Sequence, residues 1–194
     1  MSNKSLKKIT FTAVFAALAF VFQILEFSLP FVPSFLKFDF SDFPALVVSF
    51  AYGPAWGVMV ELLKNLAHCP LSHTNMVGEL ANFLVGAAIV CPAGLIYKFF
   101  KTRRGAVIAS LSGAFFAAAV SFPVNMFITY PFYSAAYFGG STEKIVEMYT
   151  AFFPSVDTLT KALLLVNVPF TLIKGLICSL ITFVTYKRIS KLIK

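Results

Sequence analysis

Charged residues are scarce in this chain. Only 12% of its 194 residues are Asp, Glu, Lys or Arg, whereas 59% are hydrophobic. Soluble domains average about 25% charged residues because their exteriors face water. The deficit excludes a soluble domain and predicts an all-α integral membrane protein whose surface faces lipid. At this length about six spans use nearly the whole chain and leave no room for a separate soluble domain.

Cysteine and the signatures of catalysis are rare as well. Cys69, Cys91 and Cys178 are too few and too scattered for a disulfide framework. His68 and His73 flank Cys69, but their spacing matches no zinc pattern, so we predict no metal site. No Gly-x-Ser-x-Gly elbow and no phosphate-binding loop ending in Lys-Ser/Thr occurs. We therefore expect a chain that is not an enzyme, carries no cofactor and cannot use ATP by itself.

Positive charge is concentrated in three short clusters. Eleven of the sixteen Lys and Arg residues border long apolar runs, as Lys4, Lys7 and Lys8, then Lys98, Lys101, Arg103 and Arg104, then Lys187, Arg188, Lys191 and Lys194. This is the distribution expected of cytoplasmic ends of membrane helices. No basic stripe interleaved with exposed aromatic residues occurs, so the net charge of +8 does not predict nucleic-acid binding.

The apolar runs predict six helices in one transmembrane domain, 1–194, at about 9–29, 44–52, 55–67, 77–100, 106–133 and 163–186. The second and third are short, because nine helical residues rise only ~14 Å against a hydrocarbon core of ~30 Å. They form either one kinked span or a hairpin. An even number of crossings must separate the cytoplasmic clusters, which favours a hairpin that turns at Tyr52-Gly53-Pro54. Both termini are then cytoplasmic, and the loops 30–43, 68–76 and 134–160 lie outside.

Polar side chains within the spans are concentrated toward the predicted outer half. Such groups are costly in lipid and usually functional; they are Gln23, Glu26, Glu61, Lys64, Asn65, Glu79, Asn82, Asn125 and Lys174. Glu61 and Lys64 are three residues apart and can simply neutralise each other. Lys174 either snorkels to the interface or meets a buried partner or ligand. Their distribution predicts a binding site that opens outward.

An aromatic segment follows the first helix. Five phenylalanines alternate here with polar residues, namely Phe31, Phe35, Phe38, Phe40 and Phe43 with Asp39, Ser41 and Asp42. The rings alone could form an interfacial belt. Stacking surfaces mixed with hydrogen-bonding groups also suit a lid over a flat, partly polar heteroaromatic ligand.

Small residues mark one face of the first helix. Ala13 and Ala17 are four residues apart, with Ala16 adjacent. Such spacing lets membrane helices approach closely. Because alanine is common in membrane helices, the pattern indicates either a partner interface or composition alone.

Six segments in a fixed order suggest a family. They are Phe38-Asp-Phe-Ser-Asp-Phe-Pro44, Gly53-Pro54, Leu63-Lys-Asn-Leu66, Val77-Gly-Glu-Leu-Ala-Asn-Phe83, Asn125 with Tyr130-Pro131-Phe-Tyr133, and Pro169-Phe-Thr-Leu-Ile-Lys-Gly175. Together they span almost the full chain and resemble the S components of energy-coupling factor (ECF) vitamin transporters, specifically the riboflavin-binding type.

The resemblance implies six helices and a cavity that opens outward beneath the loop after the first helix. It places the polar contacts to the ligand ring on Asn125, Thr171 and Lys174. The other expected substrate residues are Phe38, Asp39, Phe40, Ser41, Glu79, Asn82 and Tyr130. Thr171 stands where the family pattern Asn-x-x-Lys has Asn, and its side chain has fewer hydrogen-bonding sites. This leaves open a related flavin such as FMN, or a contact shifted to Asn167.

The resemblance further implies high-affinity capture of riboflavin, as transported ligand, at the plasma membrane of a prokaryote. The loaded subunit would dock through Ala13, Ala16 and Ala17 onto a transmembrane coupling subunit, which works with two ATPase subunits. The alternatives are an S component for another vitamin or flavin (FMN, thiamine, biotin or pantothenate) and a solitary membrane facilitator. A membrane enzyme acting on lipids would need clustered acidic or His residues near the inner surface, and the sequence shows none.

Overall fold

The fold is helical apart from one short ribbon of two strands. A computed structural model describes the backbone of residues 3–193 and the side chains of residues 5–185. Its helices are α1 (Asn3–Ile24), α2 (Asp42–Tyr52), α3 (Pro54–His68), α4 (Val77–Phe99), α5 (Arg103–Val124), α6 (Tyr130–Tyr137), α7 (Glu143–Thr150), α8 (Leu159–Ala162) and α9 (Val168–Ile193). The side chains of Lys4 and of the C-terminal basic cluster lie outside the described residues.

The ribbon and three irregular turns connect these helices. Strands β1 (Phe27–Ser28) and β2 (Lys37–Phe38) pair antiparallel, with Phe27 opposite Phe38. A 3₁₀ turn at Cys69–Leu71 follows α3. Two π turns, Asn125–Thr129 and Leu163–Asn167, join α5 to α6 and α8 to α9, so each pair continues as one helical rod.

The two short helices form an antiparallel hairpin. Gly53 separates α2 from α3 with a φ of 101°, a region that glycine adopts without steric penalty. Contacts between the helices are symmetric about this residue: a Cβ on Gly57 would lie 2.6 Å from Ser49 Cβ, and Lys64 Nζ lies 2.8 Å from Asp42. The chain therefore reverses at Gly53 and does not continue through it as one kinked helix.

Helix α2 lies at the centre of the molecule. Every residue from Asp42 to Phe50 is buried, and α1, α3, α4 and α9 pack around it. A helix surrounded by protein must be apolar on all sides, as this one mostly is. Around it, small residues allow close helix approach: a Cβ on Gly113 would lie 2.5 Å from the Ile89 carbonyl oxygen.

Two basic clusters lie at the same end of the molecule. Lys8 Nζ lies 5.9 Å from the ring centroid of Tyr52, at the α2–α3 turn. The ring of Tyr97, beside Lys98, stacks on Phe50 at 4.5 Å. The start of α1, the Gly53 turn and the end of α4 therefore meet at one end, which we call the basic end. The polar residues of the predicted binding site collect at the opposite end.

Four helical stretches in the described chain are long and apolar enough to cross a membrane: Ser5–Ile24, Val77–Phe99, Arg103–Tyr137 and Leu159–Thr185. Helices α2 and α3 rise only about 16 and 22 Å by their length. The count of six crossings and the cytoplasmic placement of the termini stay predictions.

Some predicted boundaries were wrong. The first helix ends at Ile24 rather than 29, because the chain turns after it to pair β1 with β2. Helix α2 begins within the predicted loop 30–43, at Asp42. The predicted loop 134–160 contains the end of α6, all of α7 and the start of α8. These segments are too short and too polar for apolar runs to reveal them.

Candidate ligand-binding site

A cavity of about 500 Å³ opens at the end opposite the basic end. The ends of α1 and α3, the start of α4, the rods α5–α6 and α8–α9, and the loop between β1 and β2 form its wall. Its size falls within the range of about 300–1,000 Å³ typical of small-molecule sites. Both polar and aromatic side chains line it, so it suits a ligand with a flat ring and several polar atoms.

Lys174 carries positive charge into one side of the cavity. Its Nζ donates to Asp39 Oδ2 at 2.8 Å and lies 3.7 Å from Asp42 Oδ2. Asp39 Oδ1 in turn accepts a hydrogen bond from the Ser41 backbone N–H at 2.8 Å. Only 12% of the Lys174 side chain is exposed. This ion pair joins the segment before α2 to the second turn of α9.

A second lysine lies deeper, behind the cavity wall. Lys64 is fully buried, and its Nζ lies 2.8 Å from both Asp42 Oδ1 and Glu61 Oε2 and donates to Ser41 Oγ at 2.6 Å. The five ionisable residues so connected form the charge cluster: Asp39, Asp42, Glu61, Lys64 and Lys174. Three carboxylates face two ammonium groups. Buried charges persist only when paired in this way.

Glu79 organises the polar rim at the start of α4. Its Oε1 lies 3.0 Å from His68 Nδ1, and its Oε2 accepts hydrogen bonds from Ser72 Oγ at 2.7 Å and Thr74 Oγ1 at 3.3 Å. A carboxylate is favourable at a helix N-terminus, where backbone N–H groups are unpaired. These contacts hold the loop 69–76 against the cavity.

Side-chain amides connect three helices beneath this rim. Gln23 Nε2 donates to Asn65 Oδ1 at 3.0 Å, and Asn65 Nδ2 donates to Asn82 Oδ1 at 3.4 Å. The three residues belong to α1, α3 and α4. Gln23 and Asn82 line the cavity, and the buried Asn65 joins them at a depth where lipid offers no hydrogen-bond partner.

The two π turns lie at the cavity wall. The N–H of Tyr130 bonds to the carbonyl of Asn125, and the N–H of Val168 bonds to that of Leu163, each five residues back. The Asn125 carboxamide donates to the Ser121 carbonyl at 2.8 Å and lines the cavity. Such turns are rare and occur frequently at functional sites.

Two tyrosines and an asparagine join the outer segment to the helix rods. Tyr149 of α7 donates to Asn167 Oδ1 at 2.6 Å and contacts the Tyr130 hydroxyl, while Asn167 Nδ2 donates to Tyr130 at 2.8 Å. Burial raises the pKa of Tyr149 above its ordinary value, which keeps its hydroxyl protonated. Phe35 packs edge-on against both tyrosine rings. The segment 138–158 is thereby anchored beside the aromatic side of the cavity.

Comparisons with known proteins agree with this architecture. Residues 7–186 match the family described as "ECF transporter, substrate-specific component". The chain belongs to this family. It is 29% identical over 188 residues to the riboflavin transporter RibU of Staphylococcus aureus (strain TCH60), covering 97% of this chain and 93% of that protein. It is 28% identical over 182 residues to the riboflavin transporter FmnP of Bacillus subtilis (strain 168), covering 90% and 87%.

A solved structure shares the fold over the whole length. It is described as "Structure and mechanism of the S component of a bacterial ECF transporter", and it superposes with a TM-score of 0.75 at 28% identity. The match covers 98% of this chain and 99% of that one. The chain is therefore a multi-pass plasma membrane protein and a transport component rather than an enzyme. The predicted family is confirmed.

Six predicted substrate residues of this S component line the cavity: Asn125, Thr171, Lys174, Glu79, Asn82 and Tyr130. The structure brings them together from α4, the π turn after α5, α6 and α9. Asn167, the alternative to Thr171, also lines the cavity, but its carboxamide is engaged by Tyr149 and Tyr130. That these residues bind a ligand stays a prediction.

The other four predicted residues lie behind the wall. Asp39 and Ser41 are buried because Lys174 and Lys64 bind them. Phe38 packs edge-on against Phe170, and Phe40 packs against Phe38. None of the four is among the residues that line the cavity, although Phe38 and Asp39 contact residues that do. That they bind substrate stays a prediction. The neighbouring residues 34–37 of the same loop line it instead.

Several wall residues were not predicted as substrate contacts. They include His68, Thr74, Tyr133, Tyr137 and Phe170, together with Gln23 and Glu26, which were noted only among the polar residues of the outer half. The tyrosines recur after Tyr130 at spacings of three and four, a helical pattern that would place them on one face. Among the described residues, no group of three or more His, Cys, Asp or Glu side chains has the arrangement of a metal site. Cys69 Sγ donates to the Asn65 carbonyl instead.

Proposed function

We propose that this chain is the riboflavin-binding S component of an ECF transporter and that the cavity described above holds the vitamin. The observation that carries the proposal is the composition of the cavity, whose wall combines a mostly buried lysine, side-chain amides, carboxylates and aromatic rings. Riboflavin is a flat tricyclic ring with a polar edge and a ribityl chain. The names of the relatives reported above support the same ligand.

The side with Lys174, Asn125 and Thr171 suits the polar edge of the ring. That edge carries carbonyl oxygens and ring nitrogens that accept hydrogen bonds, plus one N–H that donates. An ammonium group supplies donors only, and a carboxamide supplies both donors and an acceptor. Lys174 therefore binds acceptors of the ring, and Asn125 pairs with a carbonyl and the N–H. Thr171 contributes a hydroxyl.

Aromatic side chains suit the faces of the ring. Phe35, Tyr130, Tyr133 and Phe170 line the cavity. Offset stacking or edge-to-face contact with a flat heteroaromatic ring adds to the burial of apolar area. Phe35 comes from the loop after α1, so that loop packs over the ligand.

Transport inward requires partner subunits. The chain has no phosphate-binding loop, so the ATPase activity belongs to two partner subunits and is transmitted by a transmembrane coupling subunit. Ala13 and Ala17 are exposed on α1 and form the contact face for that subunit. Ala16 is buried in the core, so we remove it from the proposed interface. The cavity end faces outside and the basic end faces the cytoplasm.

Ligand binding by the purified protein tests this proposal. The detergent-solubilised protein, stripped of ligand, is titrated with riboflavin, and flavin fluorescence is followed. Quenching with a single saturable site is expected. A thermal-shift panel with riboflavin, FMN, thiamine, biotin and pantothenate compares ligands; the true ligand at one hundred times its Kd stabilises by about 2.7 kcal/mol. No quenching by flavin, together with stabilisation by another vitamin, would overturn the ligand assignment.

An uptake assay separates the subunit from a solitary facilitator. Labelled riboflavin is supplied to cells that express the chain with or without the coupling subunit and ATPases. We expect concentrative uptake only with the partners present. Uptake without any ATPase partner would refute the subunit assignment.

A further inference from the structure

Glu26 is a cavity-wall carboxylate whose acceptor sites are not used by the protein. It follows the last turn of α1, is half-buried, and makes no side-chain hydrogen bond or ion pair with any described residue. The other wall carboxylates differ. Asp42 is bound by Lys64, and Glu79 accepts from His68 and two hydroxyls. Glu26 is therefore the wall carboxylate able to take donors from a ligand.

The surroundings of Glu26 already disfavour additional negative charge. Burial raises the pKa of Glu26, and the nearby Asp39 raises it further. His68, Lys37 and Lys174 act in the opposite direction. A hydrogen-bond donor placed against Glu26 would stabilise its ionised form, whereas a second anion there would be repelled.

Glu26 and Lys174 come from different parts of the fold. Lys174 belongs to α9, whereas Glu26 follows the end of α1, where its N–H bonds to the Gln23 carbonyl, and it lines the cavity with Glu79 of α4. An ionised carboxylate accepts hydrogen bonds and donates none, so it cannot serve the carbonyl edge of a flavin ring. It can serve hydroxyl donors, and the ribityl chain of riboflavin is the part that carries them.

We infer that Glu26 is a specificity-determining residue, which accepts hydrogen bonds from the ribityl hydroxyls and discriminates against flavins that carry a terminal phosphate. The inference rests on the proposed riboflavin-binding function. A phosphate monoester carries about −1.5 to −2 charges at pH 7 and offers mainly acceptors. It therefore presents to Glu26 both the wrong charge and the wrong hydrogen-bonding character.

Of the three groups that favour negative charge near Glu26, Lys174 is paired with Asp39 and His68 with Glu79. Lys37 is therefore the group left to oppose this discrimination. It also borders the cavity, on strand β2, and could attract a phosphate. Its side chain is exposed to solvent, where an ion pair gains little. Glu26 is half-buried, where the interaction between charges is screened less. The carboxylate therefore decides the selectivity.

The test compares three ligands on two variants. Riboflavin, FMN and lumiflavin share one ring, but lumiflavin has a methyl group in place of the ribityl chain. Their affinities are measured by fluorescence titration for the wild type, Glu26→Gln and the control Glu147→Gln, which makes the same change at an exposed position of α7. We expect Glu26→Gln to raise the FMN-to-riboflavin affinity ratio about tenfold, or ~1.4 kcal/mol, to weaken riboflavin severalfold, and to leave lumiflavin unchanged.

Each other outcome is decisive. If the wild type binds no flavin, the proposed function fails and this inference fails with it. If the wild type binds riboflavin but Glu26→Gln leaves the affinity ratio unchanged, or weakens lumiflavin as much as riboflavin, only the specificity role is overturned. Glu26→Ala provides a second charge-free variant should Glu26→Gln not purify. Failure of both variants to fold would assign Glu26 a structural role and also overturn the inference.

Discussion

Replacing Lys174 with methionine separates two roles of this residue, in stability and in ligand binding. Methionine keeps the apolar length of the side chain and removes the charge. The charge cluster then keeps three carboxylates and only one ammonium group. Asp39, 1% exposed, loses its cationic partner at 2.8 Å. Breaking a buried ion pair by removing one partner costs about 3–5 kcal/mol, because it leaves the other charge buried and unpaired.

The compensating variant Lys174→Met/Asp39→Asn removes both charges of the pair. Its free energy of unfolding should return to within about 1–2 kcal/mol of the wild type, since replacing a buried pair is often close to neutral. Riboflavin binding should not return, because the donor to the ring edge is still absent. The matched control is Lys161→Met, whose partner Asp157 is exposed; an exposed pair contributes at most about 1 kcal/mol.

Thermal unfolding of the ligand-free protein in detergent measures the stability effect. A change of 3–5 kcal/mol corresponds to a fall of about 6–20 °C in Tm for a chain of this length. Flavin fluorescence titration measures the binding effect. If Lys174→Met is as stable as Lys161→Met, the ion pair with Asp39 does not stabilise the fold. If the double variant binds riboflavin with wild-type affinity, Lys174 does not contact the ligand.

Three further predictions address other parts of the molecule. Ala17→Leu should abolish partner-dependent uptake without changing riboflavin affinity, because a bulky side chain prevents close helix approach. The control Val14→Leu, at another exposed position of α1, should leave uptake intact. If both variants reduce uptake equally, the proposed interface is refuted. Tyr149→Phe leaves a buried amide oxygen without its donor and should lower the free energy of unfolding by about 1–3 kcal/mol, with faster hydrogen exchange in α7; unchanged exchange would contradict the anchoring role. Gly86→Ala places a Cβ 2.1 Å from Glu61 Oε2 and should lower the free energy of unfolding by about 1–3 kcal/mol; an unaltered Tm would show that the carboxylate moves freely.

Charge placement was the strongest predictor of topology in the sequence. It favoured a hairpin at Tyr52-Gly53-Pro54, and the antiparallel contacts about Gly53 are those of a hairpin. It also placed all three basic clusters on one side; Lys8 lies at the same end of the molecule as Lys98, and the third cluster lies outside the described side chains. Charge placement carries such information because lipid penalises charges wherever they are not paired or at an interface.

The contacts between distant residues could not be read from spacing. Glu61 and Lys64 were expected to neutralise each other from their separation of three residues, and they lie 2.8 Å apart. Lys64 also binds Asp42, however, and Lys174 binds Asp39 across 135 positions of sequence. Local periodicity carries no information on such pairs. The prediction of Asp39 as a ligand contact therefore gave no sign that it is also a buried partner of Lys174.

The two π turns do have a sequence signal, and it locates the cavity. Each turn ends two residues before a proline: Thr129 precedes Pro131, and Asn167 precedes Pro169. A proline within a helix lacks an N–H, and its ring crowds the carbonyl four residues earlier. In both rods that crowded carbonyl belongs to a residue of the π turn. Backbone groups freed in this way are tolerated at membrane depth only where they are buried in protein or face a cavity. In one rod Asn125 comes six residues before Pro131, and in the other Asn167 comes two residues before Pro169. An asparagine close to a proline in each of two helices therefore indicates where the wall of a polar cavity lies.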